Sequence, residues 1–264
     1  MIKALLIVSC SILIILTLLM YIFQRSLLYF PAKEVPSRSV YHATDLQELY
    51  LKTNDGIDLL AWYKAAKTNQ PTVLFLHGNA GHIGYRMFLA RAFIDAGFGM
   101  LLLEYRGYGG NKGSPSEEAL YNDARAAIHF LQQQGISSKH LALYGESLGT
   151  GIAVKMATEF PSCALVLQSP YTSMVAVARY HYPWILIAPW DKYDSLTMIH
   201  NVKSPLLILH GKQDTIVPFE QGLMLFHQAN EPKTFIALDN KDHNNLWDPH
   251  FATTVIEFIQ SHCS

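Results

Sequence analysis

The stretch LALYGESLGTG, residues 141–151, constrains the fold more than any other part of the chain. An apolar run leads into Gly145-Glu146-Ser147-Leu148-Gly149, and helix-forming residues follow. A Gly-x-Ser-x-Gly core between a strand and a helix puts the serine on a sharp turn, its hydroxyl held out at the tip of a sheet. Such a turn brings strand and helix backbones so close that Cβ atoms at 145 or 149 would collide. The helix that follows would aim its N-terminal amides at charge developing beside Ser147. Gly and Ser are common, so a glycine-rich loop that happens to hold a serine competes with this reading. The rest of the chain decides between them.

Strand-like and helix-like runs alternate around that stretch. Residues 47–53 and 57–64 read as two strands joined by Asn54-Asp55-Gly56, where Asp-Gly supplies the positive φ angles of a tight hairpin turn. The run TVLFLH (72–77) is continuously apolar until its last residue, as expected of a strand buried on both faces. A helix is expected over about 85–96, and a second buried strand over 100–105. Ser114-Pro115-Ser116-Glu117 reads as a helix start with Ser114 at the N-cap, Pro at N1 and Glu at N3. Further strands are expected at 164–168, 205–210 and 234–238, with a closing helix over 248–261. Apolar strands alternating with helices imply an α/β fold with a mostly parallel sheet covered on both faces. Functional groups then gather where strands end and helices begin.

Asn79, Ser147, Asp214 and His243 all lie just past strand ends. A serine hydroxyl is a weak nucleophile and needs a base to take its proton. Histidine suits that task because it titrates near neutrality, and a carboxylate must hold its tautomer and stabilise the imidazolium. The chain order Ser147, Asp214, His243 is that of one known triad arrangement. Asp214 could instead be a turn-capping residue; Asp239 and Asp242 are rivals too close to His243 to fit the order. Any one of the twelve histidines is by itself more often structural than catalytic; His243 stands out through loop position, order and spacing. The tetrahedral intermediate also needs oxyanion donors. The amide of Leu148 is one, and the backbone N–H of Asn79 the expected second, with Ala80 the alternative. His77 reads as a brace for that loop.

HGNAG, EYRGYGGNKGSPSE, GESLGTG, GKQDTIVP and DHNNLW, in this order, resemble the alpha/beta-hydrolase-fold serine hydrolases. With an apolar N-terminus and the segment Arg25-Ser26-Leu27-Leu28-Tyr29-Phe30-Pro31, the chain is most similar to the membrane-anchored alpha/beta-hydrolase-domain proteins, a group that includes monoacylglycerol and lysophospholipid lipases and protein depalmitoylases. The resemblance spans roughly residues 25–262. It implies Ser147 as nucleophile, His243 as base and Asp214 as orienting acid. Glu104 departs from the pattern, since relatives more often carry Asp before Tyr-Arg-Gly; it lies outside the triad.

Residues 4–23 carry no charge and are mostly Leu and Ile. At about 1.5 Å per residue they span roughly 30 Å, the thickness of a bilayer core. A cleaved signal peptide competes, but the run is longer than the usual h-region and no small-x-small site follows it. The expected organisation is an anchor over 1–24 and a hydrolase domain over 25–264. Lys3 on one side and Arg25, Lys33, Arg38 and Glu34 on the other barely discriminate orientation. Residues 27–31 could lie along the membrane surface or tuck against the domain as its first ordered segment. Half the 264 residues are hydrophobic, enough for one sizeable core. A formal net charge of −1 without a basic cluster argues against a nucleic-acid partner. Three scattered cysteines form neither a disulfide framework nor a zinc site, and leave a single Cys163–Cys263 bridge open. There is no His-Glu-x-x-His, and Gly107-Tyr108-Gly109-Gly110 lacks the dinucleotide spacing, so neither metal nor cofactor is expected.

Residues 171–203 exceed a minimal connection and read as a short cap rich in Tyr180, Tyr182, Trp184, Ile185, Leu186, Ile187 and Trp190. An apolar wall over Ser147 favours acyl chains, with Tyr171, Tyr182 and Trp184 the candidate pocket residues. The same side chains could instead fill core space or touch a membrane; His181 reads as structural. The sequence thus points to a serine hydrolase of carboxylic esters or thioesters with lipid-like acyl groups. Two alternatives stand beside it. A serine peptidase of the same fold would need an acidic pocket, for which the cap offers Asp191 and Asp194. A catalytically silent membrane scaffold would show a spoiled triad or elbow, and neither is seen.

Overall fold

The computed structural model describes residues 2–184 and 187–263; Ile185 and Leu186, expected in the cap's apolar wall, lie outside the described residues. The chain opens with α1 (Ile2–Leu28), a helix long and apolar enough to cross a membrane, followed by the short β1 (Phe30–Pro31). The helix passes through residue 24 without a break. β2 (Gln47–Lys52) and β3 (Asp58–Lys64) form the expected antiparallel hairpin. Its turn is longer than a two-residue one: Thr53 N–H donates to Ile57 O, and only Gly56 takes a positive φ. Asp55 is held otherwise, accepting from Thr53 Oγ1 and pairing with Arg106.

From β4 (Thr72–Leu76) onward strands and helices alternate: β5 (Ala80–Gly81), α2 (Met87–Asp95), β6 (Gly99–Leu103), α3 (Glu117–Gln133), β7 (Leu141–Glu146), α4 (Leu148–Glu159) and β8 (Ala164–Gln168). The cap follows, with α5 (Met174–His181) and α6 (Ser195–Met198), then β9 (Leu206–Gly211), α7 (Phe219–Gln228), β10 (Lys233–Leu238) and α8 (Pro249–His262). The eight-stranded sheet has the order β10-β9-β8-β7-β4-β6-β3-β2. It is parallel from β10 to β6; β3 runs antiparallel to both its neighbours. The central strands read as unbroken apolar runs because both faces are covered. Leu74, Leu101, Leu143, Leu165 and Ile208 face a core shared with α3 and α4. Val73, Phe75, Leu102, Tyr144 and Val166 face the other, shared with α2 and α8.

Ser116, not Ser114, caps α3: its hydroxyl accepts from Ala119 N–H, and Glu117 and Glu118 fill the first turn, where carboxylates suit the helix dipole. Pro115 is used elsewhere, packed where a Cβ on Gly107 would reach it at 2.9 Å. Cys163 and Cys263 are joined in a disulfide that ties the approach to β8 to the end of α8, 100 residues away.

Candidate active site

β7 ends in the turn the pentapeptide requires. Ser147 stands at φ 50° and ψ −114°, and α4 starts at the next residue. A Cβ on Gly145 would lie 2.6 Å from Gly149 O, and one on Gly149 equally close to the Leu76 carbonyl carbon. Only glycine lets β7, β4 and α4 approach this closely. Ser147 N–H donates to Gln168 O at 2.9 Å, which ties the turn to the end of β8. A non-glycine residue at positive φ is strained, and a surrounding network must hold it.

Two further loops reach this point. His243 Nδ1–H donates to Asp214 Oδ2 at 2.7 Å, and Ser147 Oγ–H donates to His243 Nε2 at 2.8 Å. An ionised carboxylate can only accept, so this pattern sets the proton on Nδ1 and the lone pair of Nε2 toward Ser147. Asp214 Oδ1 accepts from the amides of Ile216 and Val217 at 2.9 and 2.7 Å. Burial pushes the Asp214 carboxyl up, yet the hydrogen bonds and charge from His210, His243 and Val217 outweigh it and hold it well below its ordinary value. The acid and base loops are also tied to each other, Gln213 N–H donating to Lys241 O at 3.0 Å.

The loop after β4 lies against the serine: a Cβ on Gly78 would be 3.5 Å from Ser147 Cβ. Asn79 O accepts from Phe30 N–H and from the Tyr108 hydroxyl, and Asn79 Nδ2 donates to Leu28 O. Among the described residues, no protein group accepts the amide hydrogens of Asn79 or Leu148. His77 does brace this loop: Nδ1 donates to Gly78 O at 2.8 Å, and Nε2 lies 3.2 Å from Glu104 Oε1. Glu104 is buried and accepts from Ile83 N–H through its other oxygen.

Several positioning groups escape a reading of the sequence. Arg86 grips Glu146, the neighbour of Ser147, with two bonds of 3.0 Å, and also donates to Ala80 O, so the turn at Ser147 and the loop after β4 share one guanidinium. Gln168 Oε1 accepts from Tyr144 and Trp247, steadying the loop that carries His243. His210 Nε2 lies 3.3 Å from Asp214 Oδ2 and donates to Val217 O. His210 stands four residues before Asp214, yet no spacing rule separates it from a core histidine. Arg86 gives no signal at all.

A cavity of about 400 Å³ adjoins these loops: Asn79, from the loop after β4, and Ile216, from the loop of Asp214, line it together with α1 and α5, while Ser147 and His243 are not among its described lining residues. Of the three expected pocket residues only Tyr182 lines it. Tyr171 is buried behind Ser147, its hydroxyl donating to Leu148 O, because the chain is still leaving β8 at that point. Trp184 is 55% exposed and packs edge-on against Tyr182, facing solvent instead of Ser147. Among the described residues, no group of three or more His, Cys, Asp or Glu side chains is placed to hold a metal ion.

Comparison with known proteins agrees with this architecture. A family described as serine aminopeptidase, S33, matches residues 67–191. A Mycobacterium tuberculosis protein described only as uncharacterized is 40% identical over 228 residues, which are 84% of this chain and 81% of that protein. The chain belongs to the alpha/beta-hydrolase family. Another relative, lysophosphatidylserine lipase ABHD12 of Danio rerio, is 32% identical over 196 residues, 66% of this chain but only 51% of the lipase. Among solved structures, a Pyrococcus furiosus esterase superposes with a TM-score of 0.75 at 18% identity, over 90% of this chain and 98% of the esterase. At that identity the likeness speaks for the fold. This alpha/beta hydrolase thus keeps company with esterases and lipases, and an apolar cavity adjoins the loops that meet at Ser147.

Proposed function

We propose that this hydrolase cleaves carboxylic esters or thioesters of lipid-like acyl groups through an acyl-enzyme on Ser147, with α1 as its membrane anchor. The observation that carries the reading is the unbroken run of hydrogen bonds from Ser147 through His243 to Asp214, beside an apolar cavity. Ser147 Oγ attacks the acyl carbonyl carbon while His243 Nε2 takes the hydroxyl proton. The oxyanion accepts from the amides of Asn79 and Leu148, which have no protein acceptor among the described residues. Asp214 stabilises the imidazolium. Collapse breaks the bond to the alcohol or thiol, which leaves with the proton from Nε2. Water then attacks the acyl-enzyme by the same steps and frees the acid.

The family description keeps a peptidase in view, but the cap's acidic groups are occupied. Asp191, the sole carboxylate among the described lining residues, accepts from Arg25, Tyr29 and the amide of Glu117. Asp194 caps α6 through Thr197 N–H. No free carboxylate is left there for a substrate ammonium. The anchor reading takes residues 1–24 as the span and 25–264 as the catalytic domain. The disulfide argues for a domain on the oxidising, non-cytosolic side, since such bridges are rare in reducing compartments.

Labelling by a fluorophosphonate probe tests the nucleophile. Wild type should label and Ser147→Ala should not, and p-nitrophenyl esters should be cleaved best at medium or long chains. Equal labelling of both proteins removes Ser147 from its role, and a folded wild type that does not label favours the silent scaffold.

A further inference from the structure

We infer that α1 is itself one wall of the acyl-binding site, and that a single acyl chain enters between α1 and the cap directly from the bilayer leaflet. The inference rests on the proposed acyl hydrolase and goes beyond it: a tether raises local concentration, whereas a wall selects substrate.

The face of α1 that meets the cap is defined. Thr17, Met20, Tyr21, Gln24 and Leu28 are partly buried and line the cavity, while their neighbours Leu18, Leu19, Ile22 and Phe23 are exposed. The spacing i, i+3, i+4, i+7, i+11 is one stripe of an α-helix. Between residues 12 and 24 the side chains with polar atoms are Thr17, Tyr21 and Gln24, and all three fall on this stripe. A helix bathed in lipid on every side has no reason to sort them so; one that closes a protein cavity does.

The helix is also fixed. Arg25 forks onto Asp191 of the cap at 2.9 and 3.1 Å, and the Tyr29 hydroxyl joins the same carboxylate at 3.0 Å. Tyr21 meets Trp190 edge-on at 5.2 Å, and Trp190 N–H donates to Gln24 Oε1. Immediately beyond, β1 pairs in parallel with β5, the strand that follows Asn79. The end of the helix is thus registered against the oxyanion loop.

Depth supplies the source of the occupant. The lining of the cavity includes both Asn79 and Ile216, on the loops beside the triad, and Thr17, within α1. Thr17 lies seven residues before Gln24, the end of the proposed span, a rise of about 10 Å, which is about a third of the ~30 Å hydrocarbon thickness. The far end therefore lies at the level of acyl chains in one leaflet. Tyr180, Tyr182, Trp184, Ile187 and Trp190 are between 41% and 55% exposed on the same side, an aromatic surface suited to the interface. Taking about 30 Å³ for a methylene-sized unit, the share of a water molecule in the liquid, a cavity of about 400 Å³ matches one chain of about a dozen carbons. The class of substrate is a monoacyl ester or thioester already partitioned into the membrane.

The test uses the full-length protein in phosphatidylcholine nanodiscs and compares kcat/KM for p-nitrophenyl dodecanoate and butyrate. Thr17→Trp and Met20→Trp, which fill the far part of the cavity, should lower the long-to-short ratio at least tenfold. Leu18→Trp, on the lipid-facing side, should leave that ratio at the wild-type value. A merely structural role for α1 would move both substrates together, and an unchanged ratio in both filling variants overturns the inference. Unmodified protein gives a second measurement that needs no variant to fold. A dodecyl fluorophosphonate with a terminal diazirine, attached to Ser147 and irradiated, should crosslink to residues 17–28; crosslinks confined to other segments overturn it. Failure of the wild type to label or to cleave either ester sinks the acyl-hydrolase reading itself, whereas labelling with an unchanged ratio sinks only the role of α1.

Discussion

The two sides of the cleft are built from opposite materials. Behind Ser147 the side chains are buried or half-buried and tied by directed hydrogen bonds: Asp214 accepts from two amides and a histidine, Arg86 clamps Glu146, and Gln168 ties Trp247 to Tyr144. In front of it lie α1 and the cap, whose large side chains are exposed and whose polar fixing is concentrated at Asp191. The difference matches the demands that the proposed reaction would make on each side. Proton transfer needs atoms held to fractions of an ångström, and low-dielectric hydrogen bonds give that precision. Selection of an acyl chain needs area and volume, which apolar surface supplies without direction.

Substitutions should therefore act on chemistry behind the serine and on substrate or membrane in front of it. The largest effect is expected from Ser147→Ala, a loss of kcat of roughly 10⁶-fold if the triad works as a unit, with the thermal unfolding midpoint little changed. A loss under a hundredfold would break the comparison at its centre. Next is Asp214→Asn, roughly 10⁴-fold in kcat through the wrong tautomer of His243. This variant also carries a pH signature. The Asp214 carboxyl is held below its ordinary value of about 3.9, so its contribution to stability is fully present above that pH and is lost as pH falls through the folded value. The stability gap between wild type and Asp214→Asn, followed by urea denaturation from pH 6 to 3, should narrow below about pH 4; a gap that widens contradicts the sign.

Paired Cys163→Ser and Cys263→Ser substitutions should cost about 2–5 kcal/mol of unfolding free energy by denaturant titration, because they free the end of α8 without touching the cleft. Activity of the remaining folded protein should persist. The smallest effect belongs to Trp184→Ser on the exposed cap. Stability should shift by no more than about 0.5 kcal/mol, while the penetration of the cap into vesicles, read by interfacial quenching of Trp190, should weaken. A large loss of stability instead would show that Trp184 is core after all.

How much of this was legible in sequence depends on how local the physics is. The elbow is a contiguous pentapeptide whose glycines are dictated by backbone clearance, so GESLG specified its own geometry. The central strands were legible because burial on both faces leaves only apolar residues, as in TVLFL. Small boundary errors came from tertiary use of local signals: Pro115 serves the Gly107 turn and not a helix start, and Asp55 serves Arg106 instead of a two-residue turn. Helix α7, behind the Asp214 loop, starts after Pro218 without a side-chain cap, so no local start signal marks it.

By itself, then, the chain's sequence determined the alternation of strands and helices, the turn at Ser147, the order in which Asp214 and His243 follow, and an apolar helix at the start. Each rests on neighbours in the chain or on a period of two or about four residues. Only the tertiary structure decided that Arg86 joins the turn at Ser147 to the loop after β4, that His210 backs Asp214, that Cys163 meets Cys263, and that Tyr171 stands behind the serine while α1 shares a cavity with Asn79 and Ile216. Those pairings link residues far apart in sequence. Their partners are chosen by the packing of the whole sheet and its helices, and no local pattern encodes that choice.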